Sequence, residues 1–206
     1  LLKSQDSGRK WEICLKVDTP TAIYDGTFCN DTVIVSARDR ASIFRSDDSG
    51  KSWNEVRLGT AARSICNTDS SVLVSSDSAI FLSEDNGLTW VKRISPIKNL
   101  VLRYPIFLRD EILMAGAAWR SLILGTSLKR DEWWISFDVT KVVKSRFMTR
   151  LCVGKNFLFL GDEIESGTLL SIPTSSLEHK RVFPYSILSR SGSNQLLKTF
   201  EKVSES

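Results

Sequence analysis

Ser83-Glu84-Asp85-Asn86-Gly87-Leu88-Thr89-Trp90 decides the fold, because the chain writes this stretch more than once. Ser46-Asp47-Asp48-Ser49-Gly50-Lys51-Ser52-Trp53 has the same skeleton, and so does Ser4-Gln5-Asp6-Ser7-Gly8-Arg9-Lys10-Trp11. The shared word is Ser-x-Asp-x-Gly-x-(Thr/Ser/Lys)-Trp. Its residues suit a hairpin: Asp accepts from nearby N–H groups, Gly takes a positive φ, hydroxyls pin the loop, and Trp offers a large ring to bury. A decayed copy follows, in which Ser127 and Trp134 survive while Lys129 replaces Asp and Asp131 replaces Gly. The tryptophans at 11, 53, 90 and 134 are separated by 42, 37 and 44 residues.

Short strand-like runs fill the intervals. Before the second word stand 21–29, 32–36 with Val33-Ile34-Val35, and 42–45, and 52–58 follows. The next interval repeats the plan with 62–67, 71–75, 79–82 and 89–94, divided by small polar residues. Later units read 106–108, 112–114 and 122–124 before the decayed word, then 148–153, 157–160, 168–172 and 180–183. Two further runs, 185–188 and 195–200, precede a polar tail.

Four short antiparallel strands every ~40–45 residues is the period of a β-propeller blade. The expectation is an all-β, single-domain propeller of 1–206 with blades at 21–58, 62–95, 101–138 and 147–182. The C-terminal runs lack a box and the N-terminus has a box without its first two strands. Joining 185–200 with 1–17 is expected to make a fifth blade and close the ring; the alternative is an arc cut from a larger propeller.

Composition excludes several classes. A hydrophobic fraction of 42% and charged fraction of 25% are ordinary for a globular domain. A net charge of +4 is not the footprint of a nucleic-acid binder, and no apolar run is long enough for a membrane helix. His179 is the only histidine, which removes His-based triads and metal clusters. Cys14, Cys29, Cys66 and Cys152 form no CxxC pair. Three of them, Cys29, Cys66 and Cys152, recur at one place in the repeat and read as buried thiols, which counts against a disulfide-built secreted domain. No metal or cofactor is expected. Leu1 at the start reads as a processed or trimmed N-terminus, and Asn30-Asp31-Thr32 is a formal glycosylation sequon. The compartment stays open.

The repeated word resembles the BNR or Asp-box repeats of sialidases, sortilin-type receptors, some glycoside hydrolases and photosystem assembly factors. That resemblance implies boxes that are structural and lie opposite the ligand face. Carried over, Ser4, Asp6, Gly8, Trp11, Ser46, Asp48, Gly50, Trp53, Ser83, Asp85, Gly87 and Trp90 build the fold and do no chemistry. A sialidase also needs an arginine triad, a Tyr/Glu pair and an Arg-Ile-Pro word before the first box. Here Leu102-Arg103-Tyr104-Pro105 comes after three boxes and has Tyr for Ile, so catalytic residues are not assigned.

Function is then expected on loops between fourth and first strands and between second and third strands. These hold Arg38, Arg40, Arg103, Tyr104, Trp119, Arg120, Arg146 and Arg150, a basic and aromatic set suited to an anionic partner. Asp39 and Glu163 are the one cross-loop carboxyl pair to nominate for glycosidase chemistry. The reading is a non-catalytic scaffold that binds another protein. A glycan-binding module or degenerate sialidase-like hydrolase is the alternative.

Overall fold

The computed structural model describes residues 1–18, 21–68, 71–98, 100–117, 121–139, 148–162, 169–177, 180–181 and 186–187. The chain divides into two compact units, Leu1–Arg93 and Ile94–Ser206.

The first unit opens with a two-stranded ribbon, β1 (Leu2–Lys3) and β2 (Glu12–Ile13), joined through the first box. Two four-stranded antiparallel sheets follow. One runs β3 (Ile23–Cys29), β4 (Thr32–Ala37), β5 (Ser42–Ser46), β6 (Asn54–Arg57). The other runs β7 (Ile65–Asn67), β8 (Val72–Ser75), β9 (Ala79–Ser83), β10 (Val91–Ile94). Both are meanders in sequence order, as expected. Their inner strands are apolar on both faces because each face meets another layer, which is why Val33-Ile34-Val35 and Val72-Leu73-Val74 read as unbroken runs. Cys29, Ile34, Ile43, Ala62, Ile65, Val72, Val74, Ala79 and Phe81 make one core joining the two sheets, with Trp90 packed on it.

In the second unit β11 (Ile97–Lys98) precedes a sheet of β12 (Val101–Leu108), β13 (Glu111–Ala117), β14 (Ser121–Ser127) and β15 (Trp133–Asp138). A further sheet holds β16 (Met148–Val153), β17 (Phe157–Asp162) and β18 (Leu169–Pro173). Leu113, Ala115, Ile123, Leu151, Leu158, Leu160 and Ile172 bury between them. One expectation is corrected here. β19 (Lys180–Arg181), read as the fourth strand beside 168–172, pairs instead with Trp134–Ile135 of β15 and extends that sheet to five strands. β20 (Ser186–Ile187) runs parallel to Ile97–Lys98. The run 195–200, assigned to the shared blade, lies outside the described residues. Among the described residues no helix is long and apolar enough to cross a membrane.

The boxes close hairpins between third and fourth strands. In the third box Ser83 Oγ accepts from Gly87 N at 2.8 Å and donates to Asp85 Oδ1 at 2.7 Å. Asp85 accepts from Leu88 N at 3.1 Å, Thr89 N at 2.9 Å and Thr89 Oγ1 at 2.5 Å. Ser46 with Asp48, and Ser4 with Asp6, repeat the serine–aspartate–glycine wiring. The turn needs two left-handed residues in succession: Asn86 at φ 58° and Gly87 at 82°, matched by Ser49-Gly50 and Ser7-Gly8. These bonds hold the carboxylates in their charged form. Asp85 falls from its ordinary 3.8 to about 2, chiefly through the Thr89 hydroxyl and N–H, and Asp48 is lowered chiefly by the Ser52 hydroxyl.

The boxes also latch neighbouring sheets. Asn86 O accepts from Arg45 Nε at 2.8 Å, and its Oδ1 accepts from Cys29 Sγ at 3.2 Å and Asn30 Nδ2 at 3.1 Å. Trp53 Nε1 donates to Cys14 O at 2.8 Å, so the second box reaches back beyond β2. Trp11 departs from its expected role: it donates to Gly8 O but stays 61% exposed, because the β1–β2 ribbon has only two strands to cover it. In the decayed box Thr126 Oγ1 takes over the closure by donating to Glu132 O at 2.7 Å. Trp134 is nevertheless buried, flat over Gly125, where a Cβ would collide with its ring. Among the thiols, Cys29 is buried as expected, and no disulfide joins any of Cys14, Cys29, Cys66 and Cys152. Cys152 corrects its expectation by facing solvent, since it lies on β16 at the edge of its three-stranded sheet.

A Cβ at Gly87 would sit 2.7 Å from Ile34 Cδ1 in a left-handed backbone, so Gly87→Ala should cost about 2–4 kcal/mol. Gly59→Ala, at positive φ but in open space, should cost only about 1 kcal/mol, and urea unfolding of the two variants checks the difference. Asp85 has a lower pKa folded than unfolded, so it stabilises the fold above pH ~4 and loses that effect as pH falls toward 2. Asp85→Asn should therefore unfold at lower urea than wild type at pH 7, with the gap narrowing below pH 4.

Candidate functional site

Antiparallel hairpins alternate between the two ends of a sheet, so the box hairpins and the β4–β5 and β8–β9 turns lie at opposite ends of the first unit's sheets. Arg38–Arg40 forms a short 3-10 turn after β4, closed by Ala41 at φ 53°. Arg38 and Asp39 are exposed, and Arg40 is half-buried with Nε 3.6 Å from Glu55 Oε1. Ser42 Oγ donates to the same Glu55 oxygen at 2.7 Å, so Arg40 is partly committed to holding the turn.

Next to this turn the two sheets are stitched by polar groups. Ser36 Oγ donates to Arg63 O at 2.6 Å, and Asp25 Oδ2 accepts from Ile65 N at 2.9 Å. Arg63 itself is buried and paired with Asp77 of the β8–β9 turn. Asp25 also bears on Cys66, whose thiol is pushed up first by burial and then by this carboxylate, so Cys66 is no nucleophile. Arg63 and Asp77 were not singled out by sequence. A weak signal was there: Arg63 stands three residues ahead of Cys66 and Arg150 two ahead of Cys152, near but not at the same place in the repeat.

In the second unit, Arg103 and Tyr104 do not lie on a loop, as expected, but inside β12. Pro105 has no N–H to give the ladder, and the register shifts between Arg103 and Ile106. Tyr104 takes φ 45°, a conformation that a bulky residue before proline adopts only under constraint. The bulge carries the ring to Arg150, on β16, whose guanidinium carbon sits 4.2 Å from the ring centroid. Register shifts recur at the corresponding places of β3, between Ile23 and Asp25, and of β16, between Met148 and Arg150. Such bulges re-aim side chains at the end of a sheet.

The structure thus brings Tyr104 and Arg150 together, with Arg103 preceding Tyr104 in β12, while Arg38 and Arg40 share one turn of the first unit. Trp119, Arg120, Arg146 and Glu163 lie outside the described residues, so the Asp39–Glu163 pair does too. No cluster of His, Cys, Asp and Glu among the described residues could hold a metal.

No family model and no curated protein matches the chain. Solved structures do. The computationally designed Ika4 protein aligns at TM-score 0.57 and 13% identity, over 76% of this chain and 93% of its own. YCF48 from Cyanidioschyzon merolae aligns at 0.52 and 13%, over 77% and 58%, and YCF48 bound to D1 peptide at 0.54 and 14%, over 84% and 61%. An ancestral GH74 enzyme aligns at 0.59 and 16%, over 73% of this chain and 25% of that one. The chain therefore spans about three-fifths of YCF48 and a quarter of the GH74 enzyme. At these identities the likeness establishes the fold, which is a β-propeller fold of four-stranded blades.

Proposed function

We propose that this β-propeller is a non-catalytic module that binds another protein through the sheet ends opposite its Asp boxes. The observation that carries this reading is the Arg150 guanidinium stacked over Tyr104 at a bulge in β12. A stacked arginine is pre-oriented and keeps its N–H donors in plane for a carboxylate, so little side-chain entropy is lost on binding. The strain at Tyr104 supports it, since a left-handed tyrosine before proline persists only where its surroundings hold it. Arg38 in the first unit and Arg103 in the second, with Trp119, Arg120 and Arg146 from the sequence reading, are the remaining candidates, each taken within its own unit. A solved relative in fold that is described as bound to a peptide fits the same reading. Glycan binding is the competing reading, and it requires a concave site with converging carboxylates instead of a broad basic one.

The Arg150→Ala and Tyr104→Ala variants, tested singly and together in pull-downs from native extract beside a glycan array, discriminate these. The expected result is a partner protein retained by wild type and lost at least tenfold in the double variant, with stability lowered by only about 0.5–1 kcal/mol for Arg150→Ala. A defined glycan retained by wild type, with no protein partner, would replace this reading with the other.

A further inference from the structure

We infer that Arg63 is a carboxylate-binding residue of the first unit, held closed in the free protein by Asp77 acting as a stand-in for a partner's acidic group. Arg63 has a side chain only 7% exposed, whereas that of Asp77 is 46% exposed. Both Nε and Nη2 of Arg63 reach the same Asp77 oxygen, Oδ1. That occupies one edge of the guanidinium. On its other edge Nη1 is buried and has no hydrogen-bond partner among the described residues. A buried donor left unmade costs a structure about 1–3 kcal/mol, so an acceptor that reaches it gains at least part of that back.

The backbone around Arg63 is fixed, and the partner side is not. Arg63 N donates to Ser75 O at 2.9 Å and Arg63 O accepts from Ser36 Oγ at 2.6 Å, so the stem cannot drift. The 76–78 turn is tied at its base, where Ser76 N and Oγ both donate to Ala79 O and Ala79 N donates back to Ser76 Oγ. Asp77 at its tip can therefore leave by side-chain rotation into water without unfolding the turn. A departing Asp77 uncovers a cation with two forked edges, the geometry that a carboxylate matches bidentately. The ligand class is an acidic side chain of a peptide segment, since a neutral acceptor would not compensate the buried charge that Asp77 leaves behind.

This rests on the reading of these sheet ends as the binding face, but it concerns the first unit alone. A hexaglutamate peptide carrying fluorescein, followed by anisotropy, tests it on wild type, Asp77→Asn, Arg63→Gln with Asp77→Asn, and Glu84→Gln, the last an exposed box-loop residue with the same charge change. Asp77→Asn should bind about tenfold tighter than wild type, the gain if the closed form holds nine-tenths of the free protein. The gain should vanish in the double variant and be absent in Glu84→Gln. In wild type, the Arg63 Nε–H resonance should shift as the peptide is added, which keeps the test open if Asp77→Asn unfolds. Equal affinities for Asp77→Asn and Glu84→Gln, a gain that survives Arg63→Gln, or an unmoved Arg63 resonance would overturn the inference. None of these outcomes touches Tyr104 and Arg150, so failure here is separable from failure of the proposed function.

Discussion

The third box, and the link it makes to the neighbouring sheet, turn on one serine hydroxyl. Ser83 Oγ accepts from Gly87 N and donates to Asp85, which forces Asn86 and Gly87 into consecutive left-handed conformations. That backbone turns the Asn86 carbonyl toward the neighbouring sheet, where the buried Arg45 donates to it. A hairpin clamp is thereby also a latch between sheets. Arg45 can be buried because its charge is met twice, by this carbonyl and by Asp47 at 2.9 Å. Each latch adds little compared with the apolar core beside it, but it sets the register in which that core packs.

Much of this was legible in the sequence, and for physical reasons. A turn that needs Ser, Asp and Gly at set offsets leaves those letters in place, and a strand buried on both faces reads as a short apolar run. The period then names the layers. What could not be read is where geometry departs from the repeat. Nothing in Lys180 or Arg181 says that they pair with Trp134–Ile135 and not with the strand just before them, because a two-residue strand carries no register signal. Nor does Trp11 differ in letter from Trp53 and Trp90, although its two-stranded ribbon leaves it in water.

The candidate site divides along the same line. That Arg38 and Arg40 lie at the end of their sheet away from its box follows from the box position, since hairpins alternate. That Tyr104 meets Arg150 depends on a bulge, which Tyr104-Pro105 permits but does not dictate. Arg63 was missed because a lone arginine before a strand looks solvated until its neighbours close over it. Tyr104 and Arg150 stand on β12 and β16 and not on loop tips, which orders them better than loop residues of the same types would be.

The central claim is that the box couples two sheets and does more than close its own hairpin. A double-mutant cycle of Ser83→Ala with Arg45→Met, followed by urea unfolding, addresses it directly. If the clamp presents the Asn86 carbonyl to Arg45, the two losses overlap and the coupling is about 1 kcal/mol or more. Losses that add to within about 0.3–0.5 kcal/mol would show the hairpin and the neighbouring sheet to be independent, and would contradict the account.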